Sequence, residues 1–136
     1  MPSSIVLDSF AIIVYLEDEP GHETVGRLFR QAADGDVSLG MSVVNLGEVW
    51  YHFARRSSEA IADQVMREIH EIGVAVAEVD WPLTRQAAAY KSHGGLSYAD
   101  CFAAALAKAW NAPLVTGDPE FKRVERDVQI QWLGRS

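Results

Sequence analysis

Short apolar runs alternate along this chain with longer stretches of helical character. The runs cover residues 5–8, 37–41, 74–79, 113–116 and 128–133. Strands that are separated by helices pair in parallel through right-handed crossovers, which places helices on both faces of the sheet. The alternation therefore predicts an α/β fold, a three-layer α/β/α domain with five strands.

Caps and turn residues give the expected helix boundaries. We expect helices over 10–16, from 22 to Gly35, after Ser42, from Ser57 or Ser58 to Gly73, and over 82–92 and 97–110. Between the runs, apolar residues recur with the spacing of an amphipathic helix. In the third and fourth helices the predicted core-facing residues are Leu46, Val49, Trp50, Phe53, Ile61, Val65, Ile69 and Ile72.

Length and composition limit the class of protein. The 136 residues contain no repeat, linker or low-complexity tract, so we expect a single domain over residues 1–136. No apolar segment approaches the roughly 18 residues of a membrane span, and the first residues do not resemble a signal peptide. We therefore expect a cytoplasmic protein with no membrane partner.

The charge balance bears on possible substrates. With 12 basic and 19 acidic residues the formal net charge is −7, which argues against passive binding to a nucleic-acid backbone. A polyanionic substrate would need a bound divalent cation or a basic partner protein to offset the repulsion. Lys122, Arg123 and Arg126 form a small basic patch, which we interpret as solvated surface.

Four acidic residues fall at or near the carboxyl ends of predicted strands. Asp8 ends the first strand and Asp118 follows the fourth. Glu48 lies about one and a half turns into the helix after the second strand, and Asp100 lies in the first turn of the long alanine-rich helix. In an open parallel sheet, ligands bind at this edge.

Each of these acids also has a purely structural interpretation. Asp8 and Asp118 would be N-caps of the segments that follow them, Asp100 would complete a capping box, and Glu48 would be a solvated side chain. As a group they fit this interpretation less well. Two carboxylates about 4 Å apart repel by about 4 kcal/mol at an effective dielectric of about 20, and Ser or Asn would cap without that repulsion. A hard divalent cation among the four would reverse the local field, and oxygen ligands favour Mg²⁺, with Mn²⁺ as the competitor.

Three neighbouring polar residues could support such a site. Ser9 and Thr116 could offer hydroxyls to a carboxylate or to a coordinated water. Asn45 lies one turn before Glu48 and could share its helix face. Local turn or cap hydrogen bonding is the alternative for each of the three.

The segments that carry these residues resemble the PIN-domain family, and within it the VapC toxins of bacterial toxin–antitoxin pairs. They read IVLDSFAIIVYL, MSVVNLGEVWYHFAR and LSYADCFAAALAKAWNAPLVTGDPEF. The resemblance extends from Ile5 to about Leu133, and the spacing from Asp100 to Asp118 is its most specific part. Ser9 stands where many members have threonine.

The resemblance implies a parallel five-stranded sheet of order 3-2-1-4-5. It also implies that Asp8, Glu48, Asp100 and Asp118 hold Mg²⁺ or Mn²⁺ for hydrolysis of RNA, often tRNA or rRNA, leaving 5′-phosphate and 3′-hydroxyl ends. A homodimer and a VapB-like antitoxin, whose tail covers the site, are the implied partners.

Two other functions remain open from the residues alone. A receiver-type phosphoacceptor signalling domain is also an α/β fold with acids around magnesium. It would have a lysine directly after a late strand, where this chain has Thr116, Gly117 and Asp118. In a purely structural interaction module, the four acids would only be caps.

Overall fold

The computed structural model describes residues 3–134 and has a parallel sheet at its centre. The strands are β1 (Ser3–Leu7), β2 (Val37–Ser42), β3 (Ala75–Ala77), β4 (Leu114–Thr116) and β5 (Ile130–Trp132). Their order is β3-β2-β1-β4-β5, and every neighbouring pair is parallel. The predicted fold class and strand order are confirmed.

Helices cover both faces of this sheet. They are α1 (Ser9–Leu16), α2 (His22–Ala33), α3 (Val43–Arg56), α4 (Glu59–Ile72), α5 (Trp81–Ser92), α6 (Tyr98–Trp110) and a 3₁₀ helix (Pro119–Val124). Side chains of β1 alternate between two apolar clusters because successive residues of a strand point to opposite faces. Val6 packs with α5, α6 and the 3₁₀ helix. Ile5 and Leu7 pack with α1 to α4.

Sequence-predicted caps lie where the helices begin and end. The hydroxyls of Ser42, Ser58 and Ser97 each accept a hydrogen bond from a backbone amide in the first turn of the helix that follows. Gly73, at a φ of 95°, ends α4 in the left-handed conformation that glycine adopts without steric penalty. These local signals explain why the helix boundaries follow from the sequence.

The two strands at the sheet edges are shorter than predicted. The runs at 74–79 and 128–133 give only Ala75–Ala77 and Ile130–Trp132. In the first case Asp80 already caps α5 by accepting a hydrogen bond from the Leu83 amide at 2.9 Å, which draws the chain away from the sheet. An edge strand has a neighbour on one side only, so local capping decides where it ends.

Two predicted core residues, Trp50 and Ile61, belong to neither apolar cluster. Ile61 is 42 % exposed, and α4 buries its neighbour Ala62 instead, together with the predicted Val65 and Ile69. Trp50 is half-buried, and its indole nitrogen donates to Asp63 at 2.9 Å. The buried faces of α3 and α4 are therefore narrower than the sequence spacing predicts.

The sheet order reverses between β1 and β4. Leu7 is in register with Val115, so Asp8 and Thr116 are the next residues on adjacent strands. The crevice at such a reversal is where open α/β sheets bind ligands. No helix within residues 3–134 is long and apolar enough to cross a membrane.

Candidate active site

Asp8 lies at the carboxyl end of β1 and is almost fully buried. It is the N-cap of α1, and its Oδ1 accepts a hydrogen bond from the Ala11 amide at 2.8 Å. The pKa of Asp8 is raised from 3.8 to about 7, chiefly by burial. Hydrogen bonds from the Thr116 side chain and the Ala11 amide oppose this rise, and the charges of Asp100 and Glu48 contribute to it. The cap keeps the carboxyl group in place although the surroundings disfavour its charge.

Glu48 lies on α3 and is held by two donors on one oxygen. Its Oε1 accepts hydrogen bonds from the Ser9 hydroxyl at 2.9 Å and from Asn45 Nδ2 at 3.0 Å. Asn45 Nδ2 also donates to the Ala99 carbonyl at 3.0 Å. This buried amide therefore ties α3 to the first turn of α6, next to Asp100. Its own Oδ1 has no hydrogen-bond partner among residues 3–134.

Asp100 lies in the first turn of α6. Its backbone amide donates to the Ser97 hydroxyl at 3.1 Å. The pKa of the Asp100 carboxyl is raised from 3.8 to about 6, chiefly by burial and next by the charge of Glu48, while hydrogen bonding with Ser97 opposes the rise. Asp118 adds a smaller repulsion. The carboxylates are thus close enough to oppose one another's ionisation.

Asp118 directly follows β4 and caps the 3₁₀ helix. Its Oδ1 accepts from the Glu120 amide at 2.9 Å, and its own amide donates to the hydroxyl of the fully buried Thr116 at 3.1 Å. The cap interpretation of Asp118 is therefore confirmed. It does not exclude a role in the site, because the cap fixes the carboxylate at the sheet edge.

All four predicted acids line one pocket of about 270 Å³, which we call the acidic pocket. The predicted supporting residue Ser9 also lines it. Asn45 and Thr116 do not line the pocket, but Asn45 is hydrogen-bonded to the side chain of Glu48 and Thr116 to the backbone amide of Asp118. A larger pocket of about 470 Å³ between β3, α5 and α6 contains none of the four acids. The smaller pocket is the candidate site because its lining groups carry the chemistry.

The pocket also contains residues that the sequence did not point to. Glu19 contributes a fifth carboxyl group, and Phe10 and Ser97 form part of the wall. Glu19 lies in the turn before Pro20, where no periodicity predicts the direction of a side chain. A Cβ on Gly117 would lie 2.5 Å from Cε1 of Phe10, so the glycine before Asp118 leaves room for this ring.

The donor set fits a hard divalent cation. None of the ion pairs among residues 3–134 involves Asp8, Glu48, Asp100 or Asp118, so no basic side chain of that region neutralises the four acids directly. In the same region no three His, Cys, Asp or Glu side chains form a ready-made ligand cage. Mg²⁺ retains several waters and needs only a few carboxylates, so an open pocket of oxygen ligands suits it.

Comparison with known sequences gives a consistent family assignment. The sequence profile of the PIN domain matches residues 5–127. Ribonuclease VapC of Mycolicibacterium smegmatis is 30% identical over 125 residues, which cover 87% of this chain and 94% of that protein. Ribonuclease VapC30 of Mycobacterium tuberculosis is 28% identical over 128 residues, covering 89% of this chain and 95% of that protein.

Solved structures share the fold at lower sequence identity. VapBC2 from Rickettsia felis, bound to a DNA fragment from its promoter, gives a TM-score of 0.76 at 17% identity, over 96% of this chain and 98% of that chain. Mycobacterium tuberculosis VapC20, a toxin that cleaves the sarcin–ricin loop, gives 0.67 at 20% identity, over 87% and 92%. The topology around the acidic pocket is thus a recurrent one.

Proposed function

The chain belongs to the PIN-domain family, in its VapC branch, and from this membership we propose that it is a metal-dependent endoribonuclease acting as the toxin of a toxin–antitoxin pair. The observation that carries the proposal is the pocket at the β1/β4 reversal. Asp8, Glu48, Asp100 and Asp118 all line it, and no ion pair within residues 3–134 neutralises them.

Asp8, Asp100 and Asp118 are the residues proposed to hold Mg²⁺ or Mn²⁺, directly or through water. A bound divalent cation supplies charge neutralisation for the phosphate and lowers the pKa of a coordinated water. The pKa of Asp8 is raised to about 7 and that of Asp100 to about 6, so the charged forms of both carboxyl groups are disfavoured in the folded chain. A nearby cation would therefore stabilise these two groups most. A positive charge stabilises their ionised forms, which burial otherwise disfavours.

Glu48 has a different proposed role. Ser9 and Asn45 both donate hydrogen bonds to its Oε1, and within residues 3–134 no side chain or amide donates to its Oε2. The second oxygen is therefore available to accept a hydrogen bond from a water. We assign Glu48 to orienting the attacking water or a second cation position, with Ser9 and Asn45 as positioning residues.

The substrate class proposed is RNA, with tRNA or rRNA as the target and 5′-phosphate and 3′-hydroxyl products. Water attacks phosphorus, and the bond to the 3′ oxygen breaks, so the leaving group takes up the proton. The proposed partners are a VapB-like antitoxin and a second copy of the chain, in the cytoplasm. We further propose that residues 1–136 act as one domain.

The residues after β4 do not fit a receiver-type domain. A receiver domain requires a lysine directly after its late strand, and here the positions after β4 are Gly117 and Asp118. The family membership also favours the nuclease interpretation.

A pair of expressed proteins tests the proposal. Wild type and Asp8→Asn are produced in cells, and RNA 5′ ends are mapped across the transcriptome. Asparagine caps a helix as well as aspartate does, so the variant removes the charge and keeps the fold. We expect a new cleavage site in tRNA or rRNA with wild type alone. Identical end maps, or equal cleavage by the purified proteins with Mg²⁺ or Mn²⁺, would overturn the site.

A further inference from the structure

A second polar pocket of about 580 Å³ adjoins the acidic one and has the opposite charge. Its lining includes His93, Gly94, Leu96, Arg123, Arg126 and Asp127, and we call it the arginine pocket. Both arginines are exposed, and neither forms an ion pair within residues 3–134. Two of the three residues of the basic patch, Arg123 and Arg126, thus lie on a concave surface.

Among residues 3–134, Asp127 is the one acid that lines the arginine pocket, and it is already paired. Asp127 Oδ2 accepts from the Tyr90 hydroxyl at 3.3 Å and lies 3.4 Å from Lys108 Nζ. Lys108 therefore offsets the charge of Asp127, and the two arginines give this pocket a net positive potential.

Two segments form walls of both pockets. In the loop before α6, Gly94 and Leu96 line the arginine pocket and Ser97 lines the acidic pocket. After β4, Asp118 lines the acidic pocket, and Arg123 and Arg126 line the arginine pocket. A 3₁₀ helix rises about 2 Å per residue, so Arg123, five positions after Asp118, lies about 10 Å further along the chain.

The loop holds Arg123 at this position. A Cβ on Gly95 would lie 2.2 Å from Cδ and Nε of Arg123, so the arginine stem lies directly over this glycine. Gly95 has a φ of 92°, which also favours glycine. Lys91 Nζ donates to the carbonyl of Leu96 at 2.9 Å and steadies the same loop. The guanidinium is therefore restrained before any ligand arrives.

We propose that the arginine pocket binds a backbone phosphate of the RNA strand about three nucleotides from the bond that is cut. This inference rests on the proposed nuclease function. About 10 Å corresponds to about three stacked nucleotides at 3.4 Å per charge along one strand. Guanidinium groups bind phosphate oxygens in a bidentate manner, and such contacts position the strand without reading its sequence. They also help a polyanion to approach an acidic protein.

The test measures RNA binding in the Asp8→Asn background, which prevents cleavage. The probe is a fluorescein-labelled 12-nucleotide single-stranded RNA of mixed sequence, followed by anisotropy between 50 and 200 mM salt. We expect Arg126→Gln to weaken binding about threefold and Arg123→Gln/Arg126→Gln about tenfold. The slope of log affinity against log salt should fall by about 0.7 for each phosphate that is no longer neutralised.

Arg67→Gln is the matched control. Arg67 is an exposed arginine of α4 that lines neither pocket, so the substitution makes the same charge change elsewhere. Arg123→Lys keeps the charge, removes the bidentate geometry and controls for the packing of Arg123 on Gly95. Thermal unfolding of each variant identifies any loss of fold. A double variant that is folded and binds RNA like Arg67→Gln would overturn the inference.

Two further outcomes separate this inference from its alternatives. Poly-L-glutamate serves as the probe for an acidic protein segment. If the arginine substitutions weaken its binding and leave RNA binding unchanged, the pocket serves a protein partner and the inference is wrong. In cleavage assays we expect the double variant to raise KM with little change in kcat. Wild type without any RNA cleavage would instead overturn the proposed function, whereas cleavage with an unchanged KM in the double variant overturns this inference alone.

Discussion

The hydroxyl of Ser9 donates a hydrogen bond to Oε1 of Glu48 at 2.9 Å, which joins the first residue of α1 to the second turn of α3. These residues are 39 positions apart in the chain. Asp8 precedes Ser9 and caps the same helix, so one helix start holds a carboxylate at the sheet edge and orients another. The carboxyl groups of Asp8 and Glu48 are thereby fixed relative to each other.

Removing the Ser9 hydroxyl should loosen Glu48 and leave the fold intact. Substitution of residues that orient metal ligands typically lowers activity 10- to 100-fold, so we expect Ser9→Ala to lower kcat/KM for RNA by about tenfold. Ser9→Thr restores the hydroxyl and should remain within about twofold of wild type. Initial rates of cleavage of a labelled RNA measure both. Equal rates for Ser9→Ala and wild type would contradict the positioning role.

The buried Asp8 should make stability depend on pH in the absence of divalent cations. Its pKa is raised from 3.8 to about 7 in the folded chain, so the folded state binds the proton more tightly than the unfolded state. The stabilisation by the neutral form is complete below about pH 4 and is lost as pH rises through 7. In chelator, Asp8→Asn should therefore gain stability over wild type as pH rises, by up to about 4 kcal/mol at pH 8.

Urea unfolding at pH 4.5, 6 and 8 measures this difference. Glu71→Gln, on the exposed side of α4, is the control for the loss of one negative charge. A gap between Asp8→Asn and wild type that is the same at every pH would show that Asp8 is ionised throughout.

The fold and the four acids could be predicted because their signals are local. Runs of apolar residues mark the strands, and Ser42, Ser58 and Ser97 mark helix starts. The acids at strand ends then meet at one edge because the sheet is parallel. Glu19 could not be placed in this way, because its side chain lies in a turn and its direction depends on how α1 and α2 pack.

The supporting contacts could be predicted only in part. The position of Asn45 one turn before Glu48 predicts that the two share a helix face, but the second hydrogen bond of Asn45 reaches Ala99, 54 residues further along the chain. The arginine pocket depends in the same way on Arg123 lying over Gly95, where a loop meets a 3₁₀ helix. Sequence spacing predicts which residues share an element, and tertiary packing decides what their side chains contact.

Divalent cations should stabilise the chain through the acidic pocket. A ligand that binds only the folded state at 100 times its Kd adds about 2.7 kcal/mol, which for a domain of this size raises Tm by roughly 5 to 10 °C. We expect MnCl₂ or MgCl₂ to produce such a rise in wild type and EDTA to reverse it. Asp8→Asn should lose most of the shift, and Glu71→Gln should retain it. Equal shifts in all three proteins would place the cation elsewhere.

Asp118 offers a way to separate capping from chemistry at one residue. Its Oδ1 caps the 3₁₀ helix through the Glu120 amide at 2.9 Å, and it also lines the acidic pocket. Asparagine retains the cap and removes the charge, so Asp118→Asn should unfold within about 0.5 kcal/mol of wild type, whereas Asp118→Ala should lose about 1 kcal/mol. Both should lower RNA cleavage more than about 100-fold if the carboxylate holds the cation. Urea unfolding in EDTA and single-turnover cleavage with Mn²⁺ measure the two effects. Full activity in Asp118→Asn would show that Asp118 serves only as a cap, and would leave Asp8 and Asp100 as the residues that hold the cation.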